Sequence, residues 1–248
     1  MDRTERTISS ACGVMRLDGF TVPKTVRDSI GRCLKDEGIF DFAVTYVAGA
    51  RAGYRSMHKL ERSETDPYCY AGTDTLVNKL NIRDRNVLET KIRDVVPIRI
   101  AELEMHPLTC RVDSDYLRKI HRALYGDIFS WAGEYRTTEY GDACRPMFIE
   151  SYLDDLFHEL ENNDYYSGSE NFSDGLAHLY SELSAVMPFR TGNDVCTRVM
   201  TNVIAMMNGK YLDYSKASES LMDIAVRHGI AGDTSHLREI VDKIIEDY

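Results

Sequence analysis

The 248-residue sequence has no Cys-x-x-Cys pair, and its six cysteines (Cys12, Cys33, Cys69, Cys110, Cys144 and Cys196) keep no zinc-ligand spacing with histidine. No metal site is predicted, and free thiols in a reducing compartment are the expectation. Positive charge is also short: 30 Lys+Arg against 40 Asp+Glu give a formal charge of −10. Sequence-independent binding to nucleic acid or anionic lipid needs a basic face, so neither partner is expected. No apolar run approaches the ~18 residues of a membrane span, and Met1–Ser10 lacks the apolar stretch of a secretion signal. The expectation is a soluble cytoplasmic chain. No internal repeat or low-complexity run occurs. A hydrophobic content of 43 % is enough to build a sizeable core, and the length suits one large domain, alone or with a small appendage.

The pattern is mainly helical. Pro23 after Thr21 suits a helix start, and Val26, Ile30, Cys33 and Leu34 follow helical spacing. A second apolar run covers Phe40 to Val47. The polar patch from Ser63 to Gly72, with Pro67 inside it, reads as an exposed connection and divides residues 1–62 from 63–248. Helical spacing resumes at Leu76 and Leu80 and runs through Val87 to Val96, with Pro97 a candidate kink. Further helices are predicted between Asp113 and Tyr125 and over 151–161, 172–186, 194–208, 216–228 and 234–246. Between Glu134 and Phe148, β-branched and aromatic residues around Gly141-Asp142 predict a small hairpin. The fold class is all-α with one hairpin.

Met187-Pro188-Phe189-Arg190-Thr191-Gly192-Asn193-Asp194-Val195-Cys196-Thr197-Arg198 joins two apolar helices through a Gly-Asn turn. The free amides and macrodipole of the second helix make its start a candidate anion site, though many such turns merely join helices. This segment resembles the motif of the Fic family, His-x-Phe-x-Asp/Glu-Gly-Asn-Gly-Arg-x-x-Arg, at Phe189, Gly192, Asn193 and Arg198. The stretches His121 to Phe129 and Trp131 to Thr137 resemble the family's second signature, which precedes its hairpin flap. The resemblance covers about 65–245 and implies the Fic fold, a helical bundle with a small β-hairpin flap.

In that family the loop transfers AMP from ATP, with Mg²⁺, to a hydroxyl of a target protein. A histidine takes the hydroxyl proton, a carboxylate holds the metal, the turn amides cradle phosphate, and two arginines grip the outer phosphates. Here the histidine position holds Met187, a thioether that cannot act as a base. Losing a positioned base removes ~10²–10⁴-fold of rate. Thr191 replaces the metal carboxylate, Asp194 the second glycine and Val195 the first arginine. A carboxylate ~5 Å from phosphate repels it by roughly 3 kcal/mol at an effective dielectric near 20. Together the four changes imply loss of conventional AMP transfer and leave ATP and Mg²⁺ binding doubtful. Arg190, Gly192, Asn193 and Arg198 remain as candidate nucleotide- or anion-binding residues. Of the other candidates, His178 lies nine residues before Met187, about 13 Å along a helix, too far to replace it. His158 and His121 are not placed by sequence. Cys196, in the first helical turn, is either a thiol with a lowered pKa or a small buried residue.

Fic enzymes are commonly restrained by a helix bearing Ser/Thr-x-x-x-Glu-Gly/Asn, whose glutamate pairs with the last loop arginine. In some systems that helix belongs to a separate antitoxin. Residues 7–55 resemble such an antitoxin fused to the domain. Arg16-Leu17-Asp18-Gly19-Phe20 falls at the motif, with Asp18 for the glutamate and Val14 for the Ser/Thr. Asp18 and Gly19 are then either a plain helix stop or an inhibitory pair in which Asp18 reaches Arg198, by a longer or water-bridged contact because its side chain is shorter.

Three functions are open, the last a nucleotide sensor that binds without transfer. The first is a pseudoenzyme that binds a protein target or regulator at the flap (Arg136, Thr137, Thr138, Tyr140 and Phe148), where the family adds a target segment as an extra strand. The second is a residual or altered nucleotide-dependent transferase restrained by the N-terminal segment.

Overall fold

The computed structural model describes residues 3–36, 40–48, 63, 66–168 and 170–248. The predicted boundary at 62/63 borders residues outside the described set. Among the described residues the chain folds as helices α1 (Arg3–Arg16), α2 (Lys24–Cys33), α3 (Phe40–Ala48), α4 (Arg85–Met105), α5 (Ser114–Tyr125), α6 (Ile149–Asn162), α7 (Phe172–Val186), α8 (Asn193–Met207), α9 (Glu219–Ile230) and α10 (Ser235–Ile244). Short strands β1 (Lys210–Leu212) and β2 (Ile245–Asp247) pair antiparallel, Tyr211 opposite Glu246.

Helices α1 to α3 pack against α4 and share one hydrophobic core with the remainder. Ala11, Val14, Met15, Val26 and Ile30 are all buried. Helix α1 lies close enough to the turn at Tyr214–Lys216 that a Cβ on Gly13 would sit 2.4 Å from the Ser215 amide nitrogen. Arg16 then donates to the carbonyls of Tyr214 and Ala217. These contacts fix the Asp18 turn that follows.

The structure differs from the sequence expectation in three places. Leu76 and Leu80 keep helical spacing but precede the helix. Buried Asn78 organises a turn there, its Nδ2 donating to Leu76 O (2.9 Å) and Ile82 O (2.7 Å) and its Oδ1 accepting from the Leu80 and Ile82 amides. Helix α4 starts only after Asp84, whose side chain accepts from the Val87 amide, and it continues through Pro97 without a break. The Ser63–Gly72 connection is not wholly exposed, because Cys69 and Tyr70 are buried and Cys69 bridges Leu76.

The third difference is the flap. The antiparallel strand pair of the fold is β1/β2, and residues 134–148 contain no strand. The cause is Arg136, 1 % exposed. Its guanidinium donates to the carbonyls of Thr138 and Cys144 in the flap, which a strand ladder would otherwise leave to backbone amides, and to those of Val186 and Met187 at the end of α7. Its own amide donates to Pro188 O (2.8 Å), and the Cys144 amide to Ala185 O (3.4 Å). A cation set against the last carbonyls of α7 also suits the negative end of that helix.

Candidate functional site

Helix α7 ends at Met187, which adopts the left-handed conformation (φ 46°) and donates its amide to Leu183 O. The chain then buries Phe189 completely and turns at Gly192. Gly192 has φ 74°, and a Cβ there would meet the Tyr125 ring at 2.3 Å, so conformation and space both demand glycine. Asn193 closes the loop on itself: its Oδ1 accepts from the Phe189 amide (2.8 Å) and its Nδ2 donates to the Phe189 carbonyl (2.9 Å). Asp194 is exposed in the first turn of α8, whereas Val195 and Cys196 are buried.

His121 seats this loop from below. Its ring stacks on Phe189 (centroids 4.0 Å, planes 17°) and near Tyr125 and Trp131. Nδ1 accepts from the Gly133 amide (2.7 Å), which makes Nε2 the donor to Thr191 O (3.1 Å). Burial pushes its pKa down to about 4, so it is neutral and serves as a fastener. The sequence left His121 unplaced; its signal was the helical face it shares with Leu117 and Leu124.

Both remaining loop arginines are paired within the chain. Arg198, buried on α8, donates to the Asp18 carboxylate. The Asp18 contact is direct, so the shorter side chain needs no water: the tight seating of α1 brings its turn to Arg198. Burial disfavours charge on Arg198, but the Asp18 carboxylate, with Asp194 behind it, holds it cationic. Burial in turn pushes the Asp18 carboxyl up, against the pull of Arg198. Nε of Arg198 is buried without a hydrogen-bond partner. Arg190 pairs with Asp66 (Nη2–Oδ2 2.6 Å) beside the Tyr140 ring, and both side chains border a cleft of about 460 Å³ that also receives Thr191, Asp74, Arg85 and Glu89. Sequence reading missed Asp66, which lies 124 positions from its partner.

The chemistry follows from this inventory. Met187 supplies no base, and Thr191, the residue at the metal position, brings a neutral hydroxyl. The first turn of α8 carries Asp194, and the guanidiniums of Arg190 and Arg198 already hold carboxylates. The residues present therefore do not fit a magnesium–nucleotide complex held as the motif would hold it. Cys196 is a buried residue: burial, followed by Asp194, pushes its thiol well up, the opposite of activation. Arg136, expected on the flap's target-facing side, points inward and is spent on carbonyls. The Thr137 amide has no hydrogen left to donate to an incoming strand either, since it donates to the Tyr68 hydroxyl (3.1 Å). Thr138 is half-buried, while Tyr140, Met147 and Phe148 are exposed. His178 and His158 lie away from the loop, His178 between Glu159 and Glu182, and His158 in a cleft with Asp154 and Asp155.

Residues 111–205, from α5 through the loop to α8, match the Fic/DOC family. A probable protein adenylyltransferase Fic of Escherichia coli K12 is 34 % identical over 188 residues, covering 73 % of this chain and 93 % of that protein. The chain belongs to the Fic/DOC family. Among solved Fic structures, BepC of Bartonella tribocorum, with bound AMPPNP, superposes with a TM-score of 0.67 at 24 % identity over 77 % of this chain and all of that one. Fic-1 of C. elegans superposes with a TM-score of 0.52 at 15 % identity, over 96 % of this chain and 68 % of that one. Both likenesses establish the Fic fold. The chain is thus related to Fic protein adenylyltransferases. Among the described residues no helix is long and apolar enough to cross a membrane.

Proposed function

We propose that this Fic protein has lost conventional AMP transfer and acts by binding a protein target. The observation that carries the reading is the internal neutralisation of the loop: Asp18 occupies Arg198, Asp66 occupies Arg190, and Asp194 stands where the motif needs a bare turn. With Met187 in place of the base, the loop keeps its shape through Gly192, Asn193 and His121 but has no reactive group. The target would meet the side chains of Tyr140, Met147 and Phe148 rather than a free strand edge, because the flap's amides at 136, 137 and 144 are used within the chain.

The Asp18–Arg198 pair also favours a second reading, a transferase with altered chemistry that α1 and its turn restrain. One titration separates the two. ATP is added with and without Mg²⁺ to the full chain and to an Asp18→Ala variant, followed by intact-mass detection of transferred nucleotide. Absence of saturable heat in both proteins supports the binding role. Mg²⁺-dependent binding that appears in the variant, with AMP found on protein, replaces it with the restrained enzyme.

A further inference from the structure

At the corner between α9 and α10, three side chains with metal-ligating atoms converge away from the motif loop. His228 lies in the last turn of α9, Asp233 in the connecting turn and His236 in the first turn of α10. One ligand atom from each lies within 4.8 Å of the other two. The two imidazoles meet edge to face at 4.8 Å between centroids. We propose that His228, Asp233 and His236 form a binding site for a late first-row divalent metal ion such as Zn²⁺ or Ni²⁺.

Donor chemistry supports that class. Two imidazoles and one carboxylate suit the borderline ions Zn²⁺, Ni²⁺ and Cu²⁺ better than Mg²⁺ or Ca²⁺, which demand mostly oxygen ligands. A tetrahedral Zn²⁺ with bonds of about 2.0–2.1 Å draws its donors to about 3.4 Å apart, so the three side chains close by an ångström or so. One position then remains for water, because the side chains are exposed.

The backbone holds the corner in place. The Asp233 amide donates to His228 O (2.9 Å), and the Gly232 amide to Gly229 O (2.8 Å), tying the turn to the end of α9. The Asp233 carboxylate is already oriented: Oδ1 accepts from the Ser235 amide (3.0 Å) and hydroxyl (2.6 Å), leaving Oδ2 for an ion. Such outer hydrogen bonds fix a ligand's direction and commonly accompany working sites. Neither imidazole has a hydrogen-bond partner among the described residues, so metal binding costs no existing bond there. Below the corner, Gly229 lets α9 approach closely: a Cβ would stand 2.8 Å from Leu237 and 3.0 Å from Ser181 of α7. An ion joining α9 to α10 therefore braces the two helices that support α7, the helix leading into the motif loop.

The test uses the full chain with Zn²⁺ or Ni²⁺ alone, in a non-coordinating buffer and reductant, read by calorimetric stoichiometry and by thermal shift. The wild type should take up one more equivalent than a His228→Ala/His236→Ala double variant and should melt higher with metal than without. All three residues are exposed, so the variants should fold normally. Asp233→Asn keeps the turn's acceptor and should weaken the site more than roughly 10-fold. Equal stoichiometry and affinity in wild type and double variant, with the metal bound by cysteines or other histidines, overturns the proposal. So does the absence of any uptake by the wild type.

Discussion

Asp18→Ala removes the only carboxylate that touches the Arg198 guanidinium among the described residues, and the consequence can be sized. Arg198 is 2 % exposed, its side chain lies under α1, and its Nε already lacks a partner. Breaking a buried ion pair from one side costs roughly 3–5 kcal/mol, because the charge left behind is neither solvated nor paired. The Asp18 side chain is 21 % exposed, so water reaches its place and the lower figure, roughly 3 kcal/mol, applies. In a chain of this size each kcal/mol shifts Tm by roughly 2–4 °C, giving a fall of roughly 6–12 °C. The assay is thermal denaturation followed by circular dichroism, repeated in urea. Arg198→Met on the Asp18→Ala background removes the stranded charge and should recover most of the loss, as replacing a buried pair by apolar groups often does. A fall of less than ~2 °C in the single variant, or no recovery in the double, would show that the pair does not hold α1 in place.

Three further outcomes follow. Gly192→Ala should lose roughly 2–3 kcal/mol and broaden the unfolding transition, since the new Cβ strikes the Tyr125 ring and the backbone stays at φ 74°; an unchanged Tm would contradict the close approach. His121, held neutral with a pKa of about 4 against an ordinary 6.5, contributes stability that is complete above pH 6.5 and declines as pH falls toward 4, by about 3 kcal/mol in total. The wild-type-minus-His121→Gln difference across that window measures it, and a flat difference refutes it. Glu104, its carboxyl turned inward onto Ser10 and Asn202, is pushed by burial up to about 8 from 4.5. The folded state then binds its proton more tightly, so stability falls as pH rises from about 4.5 to 8. Glu104→Gln should remove that slope and be the more stable protein above pH 8. The two slopes oppose each other between about pH 4.5 and 6.5, so each must be read as a difference from its own variant.

Much of the site was legible because the loop is continuous in sequence. Twelve adjacent residues carry the motif, so Met187, Thr191, Asp194 and Val195 could be set against it one by one. The Asp18–Arg198 contact was only half legible: the residues around Asp18-Gly19 also read as a plain helix stop, and the family resemblance alone offered Arg198 as a partner. What escaped depends on pairings across long separations. Nothing local links Asp66 to Arg190. The strand pair joins residues 210–212 to 245–247 through segments of three residues, too short for an alternation signal. The flap residues have strand composition, yet Arg136 satisfies the carbonyls from inside, and composition carries no record of which arginine turns inward. Leu76 and Leu80 misled for a similar reason, since the side-chain bonds of Asn78 outcompete helical spacing.

The loop's shape and its charge have separate supports. Gly192, Asn193, Phe189 and His121 act through sterics, self-capping and stacking, none of which requires a nucleotide. A bare cationic loop over a buried Arg198 would be costly without an anion, because an unpaired buried charge is among the most destabilising features a core can hold. Asp18 removes that cost within the chain. A protein built this way folds without waiting for nucleotide, whereas a loop whose arginine depends on bound phosphate is stabilised by RT ln(1 + [L]/Kd). The Tm of the wild-type chain should accordingly be insensitive to millimolar ATP or inorganic phosphate. If the Asp18→Ala protein regains stability with either anion, the carboxylate of Asp18 is standing in for phosphate at Arg198. If neither anion restores it, the pocket around Arg198 has lost the space as well as the charge, and the pair is part of the core alone.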